Sequence, residues 1–300
     1  MATQALETPV FSRGALDGAR LPVSVIVAAR DEAKNLGRCL DSLRSAGEVY
    51  VVDSFSSDAT PEIARAHGAQ IAQFDYQGGW PKKRQWALDT LTLTYDWVLL
   101  LDADETLTPA LEEEIRRVTT NQQVDGYYLR LEMHFLGRIL RHCGASFYKL
   151  SLFRRGKGRF ECRLESQDDS MCDMEVHEHV MVNGRTGKLK NSLVHRNVES
   201  LSNYIRKHDQ YSNWESRVLS APEESSTELK PRLVGNQAQR RRWLKKMFFR
   251  VPGSPVLLFF HRYLFCRGFL DGVPGLIYCA FQAVQMFHTK AKIYEQRAAT

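Results

Sequence analysis

The chain has 300 residues, of which 43% are hydrophobic and 25% are charged. This is the composition of a globular protein with a packed core, and it excludes a disordered, collagen-like or coiled-coil chain. The net charge of +6 is too small to indicate nucleic-acid binding by itself, but residues 229–270 hold ten Lys/Arg and no Asp/Glu. The partner that the basic charge implies should therefore bind this segment.

The six cysteines form no CxxC pair and no Cys/His cluster with the spacing of zinc ligands, so we expect reduced, buried thiols. They are Cys39, Cys143, Cys162, Cys172, Cys266 and Cys279. Residues 1–21 lack the apolar region of a signal peptide, and no run reaches the roughly 18 apolar residues of a spanning helix. The sequence therefore predicts a protein on the cytoplasmic side of the cell membrane.

Residues 1–20 are mixed in character and are interpreted as a flexible arm. Four apolar runs follow at intervals of about 25 residues. They are residues 23–28 (VSVIVA), 49–52 (VYVV), 70–74 (QIAQF) and 97–101 (WVLLL). The first, second and fourth runs are apolar at successive positions, which is typical of parallel strands covered by helices on both faces.

The segments between these runs are predicted to be helical. Leu36, Leu40 and Leu43 share one helix face, Thr60 is the expected cap of a second helix, and Thr108 with Pro109 begins another. Gly68 suits the carboxyl end of the second helix. Alternating strands and helices predict an α/β fold.

The pattern changes after Asp125. Residues 126–135, 146–155 and 175–182 are short and partly alternating, so we expect antiparallel strands or irregular loops there. Residues 200–219 are predicted to be helical, and residues 221–228 (APEESSTE) form a polar linker. We therefore divide the chain into the arm, a domain at 21–220 and a tail at 221–300.

Acidic residues follow three of the predicted strands, where ligands of an open α/β sheet bind. The clusters are residues 28–32 (AARDE), 53–58 (DSFSSD) and 102–105 (DADE). Asp102 and Asp104 are two residues apart in an extended segment, so both carboxylates can face one cation. Hard oxygen ligands of this kind suit Mg²⁺ or Mn²⁺ shared with substrate phosphates.

These segments, with the basic segment QGGWPKKRQWAL between them, resemble family 2 glycosyltransferases of the GT-A fold. FLGRILRH, LSLFRRG, VHE and the late GFLDGVPGL resemble lipopolysaccharide core glycosyltransferases of the β-1,4-glucosyltransferase type. The resemblance covers about residues 22–290. It implies a Rossmann-like mixed sheet with flanking helices, a UDP-sugar donor and inversion at the anomeric carbon.

The resemblance also implies roles for individual residues. Ala28, Arg30 and Glu32 match the end of the first strand beside the nucleotide, and Asp53 matches the carboxylate that reads the uracil or its ribose. Ala28 and Arg30 stand where the family often has proline and tyrosine, and Ser54 where many members have a second Asp. The other matched positions are the basic-polar pair Arg84 and Gln85, Asp102 near the ribose and the metal, and Asp104 on the metal and diphosphate.

The acceptor hydroxyl needs a general base, and a carboxylate can supply one. Glu178 matches the family's catalytic acidic residue, with Asp168 and Asp169 as the rival in a predicted surface turn. His177 and His179 are interpreted as a packed and a hydrogen-bonded histidine, whereas His195 is either a metal ligand or a satisfied core histidine. Arg154 and Arg155 either bind a phosphate of donor or acceptor or lie in solvent.

The tail from Leu229 interleaves cations with aromatic and aliphatic side chains. Residues 252–265 and 275–287 are apolar but short, so we expect basic amphipathic helices that lie in a membrane interface. The alternatives are a solvated basic helix packed on the domain, a dimer interface and, least favoured, a nucleic-acid site.

Together these features predict a metal-dependent, inverting glycosyltransferase that transfers glucose from UDP-glucose to a lipid-linked glycan such as lipopolysaccharide core. The rivals are a transferase acting on polyprenyl phosphate and a membrane-associated module that binds a nucleotide sugar without chemistry. A dinucleotide oxidoreductase is disfavoured because no GxGxxG follows the first strand.

Overall fold

The computed structural model describes residues 20–165, 167–168, 170–175, 178–196, 200–220, 233–234 and 237–298. Nearly all of the predicted arm and the whole linker at 221–228 lie outside these residues, as do Asp169 and His177. The proposed division at residues 20 and 220 therefore stays a prediction.

The first part of the chain alternates strands and helices, as its sequence predicts. The elements are β1 (Leu21–Ala29), α1 (Ala33–Asp41), β2 (Ala46–Asp53), α2 (Thr60–Ala66), β3 (Gln70–Gln73), α3 (Lys83–Thr90) and β4 (Trp97–Asp102). β1, β2 and β4 are buried along almost their whole length because helices cover both faces of the sheet. The four expected strands are therefore confirmed.

The second part adds short strands around one further helix. They are β5 (Glu105–Thr106), α4 (Pro109–Val118), β6 (Gly126–Phe135), β7 (Arg138–Ile139), β8 (Phe147–Arg154), β9 (Gly158–Phe160), β10 (Val180–Val182) and β11 (Thr186–Arg196). The strands expected at 126–135 and 146–155 are confirmed. The strand expected at 175–182 is reduced to β10, because Glu175 and Glu178 point into a network of buried charges described below.

Among the described residues, the main sheet has the strand order β3-β2-β1-β4-β8-β6-β11-β5, and β7 pairs with β6. β1 is parallel to β2 and β4, β8 is antiparallel to both β4 and β6, and β11 is parallel to β6. The carboxyl ends of β1, β2, β4, β6 and β11 therefore meet at one edge, called here the carboxyl edge. The expected α/β fold, a mixed sheet with flanking helices, is confirmed.

Two helix starts show how far local rules predict element ends. Thr108 caps α4, because its hydroxyl accepts a hydrogen bond from the backbone N–H of Leu111 at 3.2 Å. The expected cap of α2 is off by one residue: Ala59 is the cap position, and the Thr60 hydroxyl instead accepts a hydrogen bond from the Glu32 backbone N–H at 2.9 Å.

The rest of the chain is helical and packs beside the sheet. It comprises α5 (Leu201–Ser220), α6 (Gln237–Arg250), α7 (Ser254–Phe260), a π-helical turn (His261–Phe265), a 3₁₀ turn (Gly268–Asp271) and α8 (Gly272–Ala298). Tyr204 of α5 and Tyr278 of α8 both stack edge-on against Phe135 at the end of β6. The tail helices therefore share a core with the sheet.

No single helix among the described residues has the length and apolarity needed to cross a membrane. The pair Ser254–Phe265 and Gly268–Ala298 reaches those limits only when taken together, and its two parts are bent by 71°. The expected C-terminal helices are thus present, and their contact with a membrane stays a prediction.

Candidate active site

The carboxyl edge brings Asp102, Asp104 and His195 together. Asp102 ends β4 beside Ala28 of β1, and His195 of β11 pairs in register with Glu105 of β5. The His195 Nδ1 atom lies 3.4 Å from Asp104 Oδ1 and 3.6 Å from Glu105 Oε1. His195 therefore lies beside the DxD motif, although 90 residues separate it from Asp104 in the chain.

The Asp102 carboxylate is held by two cations. The Arg84 guanidinium donates to Asp102 Oδ1, and Lys149 Nζ donates to Asp102 Oδ2 at 3.2 Å. Burial disfavours the ionised carboxyl, but the charges of Arg84 and Lys149 outweigh burial and hold the pKa of Asp102 well below its usual range. Asp102 is thus ionised, and its negative charge is already balanced by Arg84 and Lys149.

Asp104 and His195 differ from Asp102, because the atoms with which they face each other form no hydrogen bond. Both residues are buried, and neither Asp104 Oδ1 nor His195 Nδ1 makes a hydrogen bond. Burial raises the pKa of Asp104 to about 6, with help from Asp102 and against the charge of His195. Burial opposes protonation of His195, but the nearby carboxylates outweigh it and raise its pKa to about 9.

Asp104 Oδ1 and His195 Nδ1 are buried and lie within ion-pair distance of each other, but neither forms a hydrogen bond. A carboxylate oxygen and an imidazole nitrogen are ligand types that bind a divalent cation. Of the three predicted metal ligands, Asp104 and His195 therefore fit a metal, whereas Asp102 is occupied by Arg84 and Lys149. Within the described part of the chain, no group of three or more His, Cys, Asp or Glu side chains has a metal-binding arrangement.

The amino end of α3 carries three successive buried cations, and each pairs with an acid from one segment. Lys83 Nζ lies 3.0 Å from Asp173, and Lys82 Nζ lies 3.4 Å from Glu178. The Arg84 guanidinium donates to the Glu175 backbone carbonyl at 3.0 Å, and its backbone N–H to the Glu175 carboxylate at 3.2 Å. These pairs hold Asp173, Glu175 and Glu178 at the carboxyl edge, and Arg84 connects the same end of α3 to Asp102.

Glu178 lies inside this network. Its side chain and that of Lys82 are fully buried, and neither carboxylate oxygen of Glu178 makes a hydrogen bond. Burial raises the pKa of Glu178 to about 7, while Lys82 opposes the shift and Glu175 adds to it. A pKa near neutrality suits a general base, although in this conformation the carboxylate is closed off from solvent.

The residues after β1 line the same edge. Ala28 is buried next to Asp102, and Arg30 is exposed with its guanidinium 4.0 Å from Asp173. Glu32 accepts a hydrogen bond from Lys207 of α5 at 2.9 Å. Arg30 is therefore the predicted nucleotide-binding residue with the most freedom to contact a ligand.

Asp53 and Gln85 are engaged in the fold. Both Asp53 oxygens accept from the backbone N–H of Ser56, at 3.1 and 3.3 Å. Gln85 accepts from the Phe160 backbone N–H at 2.7 Å and donates to Asp89 at 2.8 Å. In this structure these side chains stabilise the turn after β2 and the junction of α3 with β9; their predicted contacts with the nucleotide stay predictions.

Arg154 needs correction, because the structure does not place it at the carboxyl edge. It pairs in register with Trp97, the first residue of β4, about 16 Å along the strand from Asp102. Its guanidinium packs over the Trp97 ring at 4.8 Å and donates to the Asn121 carbonyl at 3.0 Å. The antiparallel direction of β8 sends Arg154 to the opposite edge, so it is not part of this site.

Two further histidine and aspartate predictions concern described residues. His179 Nδ1 lies 3.0 Å from Glu161, in agreement with a hydrogen-bonded histidine. The rival base Asp168 is half-exposed and forms an ion pair with Arg217 at 2.5 Å. This agrees with its interpretation as part of a surface turn.

Sequence reasoning missed five charged residues of the site: Lys82, Lys83, Lys149, Asp173 and Glu175. Lys82 and Lys83 belong to the segment QGGWPKKRQWAL, and three successive cations before an apolar helix face could have indicated burial with acidic partners. The acids at 173, 175 and 178 are irregularly spaced and lie in a loop. Nothing local in the sequence matches them to α3.

Comparisons with known proteins agree with this geometry. Residues 24–161, which contain most of β1 and all of β2 to β9, match the model of Glycosyl transferase family 2. The lipopolysaccharide core biosynthesis glycosyltransferase LpsC of Rhizobium meliloti (strain 1021) is 26% identical over 286 residues, covering 93% of this chain and 94% of that protein. An uncharacterized glycosyltransferase of Rickettsia bellii is 34% identical over 106 residues, about a third of each protein.

Two solved structures show lower similarity. The mannosyltransferase PcManGT from Pyrobaculum calidifontis, in complex with GDP-Man and Mn²⁺, is 16% identical, covers 92% of this chain and 87% of its own, and has a TM-score of 0.47. S. aureus TarS 1–349 in complex with UDP-GlcNAc is 15% identical, covers 91% of each chain, and has a TM-score of 0.40.

The family match spans the strands that build the carboxyl edge up to the DxD motif, and the relative similar over nearly its whole length is a glycosyltransferase. Over residues 24–161 the chain is therefore similar to family 2 glycosyltransferases, and these similarities support a glycosyltransferase.

Proposed function

We propose that the protein is an inverting, metal-dependent glycosyltransferase that moves a hexose, with glucose as the first candidate, from a UDP-sugar to a lipid-linked glycan. Its similarity to LpsC over 93% of the chain supports an acceptor of the lipopolysaccharide core type. The enzyme would act as a peripheral protein on the cytoplasmic face of the membrane, where such acceptors are assembled on lipid.

The observation that carries this proposal is the pair of buried atoms Asp104 Oδ1 and His195 Nδ1, which face each other at the carboxyl edge without a hydrogen bond. These two residues would hold a Mg²⁺ or Mn²⁺ ion. Bound there, the ion would stabilise the negative charge that grows on the leaving diphosphate.

The cations around this pair have separate roles in the proposal. Arg84 and Lys149 fix the orientation of Asp102, so that its ionised carboxylate is in place to contact the donor ribose. Arg30 is exposed beside the edge and can contact the donor phosphates directly.

Glu178 is the proposed general base. It would accept the proton of the acceptor hydroxyl as that oxygen bonds to the anomeric carbon and the nucleoside diphosphate leaves with the electron pair of the broken bond. Its raised pKa supports this role, because a carboxylate near neutrality accepts a proton more readily than an ordinary one. Since Glu178 is buried against Lys82, acceptor binding must move Lys82 or Glu178 itself to expose the carboxylate.

The test is a panel of nucleotide sugars offered with Mg²⁺, Mn²⁺ or a chelator. Melting temperature reports binding, and release of free sugar reports activation of the donor. We expect UDP-glucose with Mn²⁺ or Mg²⁺ to raise the melting temperature most and to be slowly hydrolysed, and the chelator to abolish both effects. A preference for GDP- or CMP-sugars, or undiminished turnover with the chelator, would contradict the donor or the metal dependence.

A further inference from the structure

The junction of α7 and α8 exposes apolar side chains on a turn rather than in a core. The docking corner, defined here as residues 264–273, comprises the end of the π-helical turn, the 3₁₀ turn and the start of α8. Phe265 is 80% exposed and Val273 is 67% exposed. Leu264, Phe269 and Leu270 are each about half exposed. A soluble protein rarely exposes so many large apolar groups side by side, so this corner is expected to meet another apolar phase.

Three described arginines lie at or beside the docking corner and are exposed to solvent. Arg138 and Arg141, from the connection between β6 and β8, are exposed, as is Arg267 within the corner. Arg138 also donates to the Leu270 carbonyl at 3.5 Å, which places its guanidinium beside the corner. Asp271 is the one acidic residue between positions 229 and 294 of the sequence, and it is buried. The surface therefore suits an anionic partner.

Asp271 fastens the corner to the sheet. Its carboxylate accepts hydrogen bonds from the backbone N–H groups of Arg141 and His142 at 3.2 and 2.9 Å, and from the Cys143 thiol at 3.0 Å. The connection that holds these residues leaves β6 at Phe135, at the carboxyl edge. The corner and the pair Asp104–His195 therefore lie beyond the same edge of the sheet.

The helix behind the corner continues the apolar surface. Val273, Leu276, Val284 and Phe287 are exposed on α8 at helical spacing, and the first 18 residues of α8 contain no charged side chain. Lys290 and Lys292 follow where this uncharged stretch ends. When exposed apolar side chains lie beside arginines, the arginines can bind lipid phosphates while the aromatic groups enter the boundary between headgroups and acyl chains.

We propose that the docking corner inserts shallowly into the headgroup region of an anionic phospholipid bilayer, with Arg138, Arg141 and Arg267 on the lipid phosphates, and so turns the carboxyl edge toward the membrane. This inference rests on the proposed function in one respect. The membrane to which the corner binds would also be the membrane from which a lipid-linked acceptor reaches the site. A second copy of the chain is the competing occupant of this surface.

The experiment uses the full chain and sedimentation with vesicles of phosphatidylcholine, with and without about 30% phosphatidylglycerol. We expect binding to the anionic vesicles and weak binding to the neutral ones. The variant R138Q/R141Q/R267Q should lower the partition coefficient about fivefold per arginine, on the order of a hundredfold in total. The variant F265S/V273S should lower it at least tenfold, because it removes the two most exposed apolar groups.

Two matched control variants test whether vesicle binding depends on the docking corner rather than on exposed groups elsewhere. R44Q/R65Q removes exposed cations from the turn after α1 and from α2, and Y294S removes an exposed aromatic group nearly six turns along α8 from the corner. Both should bind like the unmodified protein. Equal losses in these controls, or undiminished binding in both corner variants, would overturn the proposal. So would a stable dimer that the corner variants dissociate while vesicle binding persists.

Donor hydrolysis without vesicles separates this inference from the proposed function. The corner variants should hydrolyse the donor at the normal rate, because their changes lie outside the site. If the unmodified protein binds anionic vesicles but shows no donor hydrolysis, the proposed function fails and the docking surface stands. If hydrolysis is normal and vesicles are not bound, the docking surface fails alone.

Discussion

The carboxyl edge of the sheet and the docking corner both depart from the usual rule that charged side chains are exposed and apolar ones buried. The edge buries charged side chains, and the corner exposes apolar ones. At the edge, Lys82, Lys83 and Arg84 are buried with acidic partners; at the corner, Phe265 and Val273 are exposed. Buried charges and exposed apolar patches are the informative departures from ordinary packing. The edge therefore suits charged ligands, whereas the corner presents apolar side chains that suit an apolar partner.

The largest expected effect on activity comes from changing Asp104, which faces His195 at the carboxyl edge. Asp104→Asn removes the charge that the proposed metal needs, so glycosyl transfer should fall by a thousandfold or more, which corresponds to about 4 kcal/mol or more of transition-state stabilisation. The measurement is steady-state transfer, together with the melting-temperature shift produced by Mn²⁺. Asp96→Asn, at an exposed carboxylate, is the control and should behave like the parent; normal transfer in Asp104→Asn would remove the basis of the proposed mechanism.

Glu178 tests whether a buried carboxylate of the network is also catalytic. Glu178→Gln should lower turnover by roughly 10²–10⁴-fold with unchanged donor affinity. In the parent enzyme the base must be ionised, so with a pKa of about 7 the rate should fall nearly tenfold per unit below pH 7 and level off above it. The pH profile should flatten in the variant; near-normal turnover would instead favour an acceptor that is already an anion, such as a polyprenyl phosphate.

Lys83 tests how much stability the buried pairs contribute. Lys83→Met leaves the buried Asp173 carboxylate without its nearest cation, and breaking a buried pair in this way costs about 3–5 kcal/mol of unfolding free energy. Denaturant titration measures this cost, and the double variant Lys83→Met/Asp173→Asn should recover much of it. Arg44→Met breaks an exposed pair and should cost less than about 1 kcal/mol; equal costs at both sites would show that burial does not distinguish them.

The smallest expected effect on folding comes from the corner. Phe265→Ser should change the unfolding free energy by no more than about 0.5 kcal/mol, because a side chain that is 80% exposed contributes little to the core. The same titration measures it. A loss of several kcal/mol would mean that the corner belongs to the fold rather than to a docking surface.

Much of this architecture could be predicted from local patterns. The four apolar runs became β1 to β4, Thr108 capped α4 as expected, and the acidic strand ends met at one edge because parallel strands share their direction. The six cysteines are free in this structure. Four of them are buried as expected, whereas Cys162 and Cys266 are partly exposed. Arg154 could not be placed in this way, since its position depends on the direction of β8, which only pairing with β4 decides.

What the sequence determined by itself was local: strands buried on both faces, helix starts, a DxD motif at a strand end, and a tail that is basic and apolar. These follow from spacing within a few residues, where backbone geometry fixes which side chains are neighbours. Only the tertiary structure decided that Arg84 and Lys149 bind Asp102 while Asp104 faces His195. It also decided that the Asp271 carboxylate is buried while Arg138, Arg141 and Arg267 are exposed at or beside the corner. The reason is physical: the partners of a buried charge come from distant parts of the chain, and burial makes their presence or absence the largest local influence on that charge.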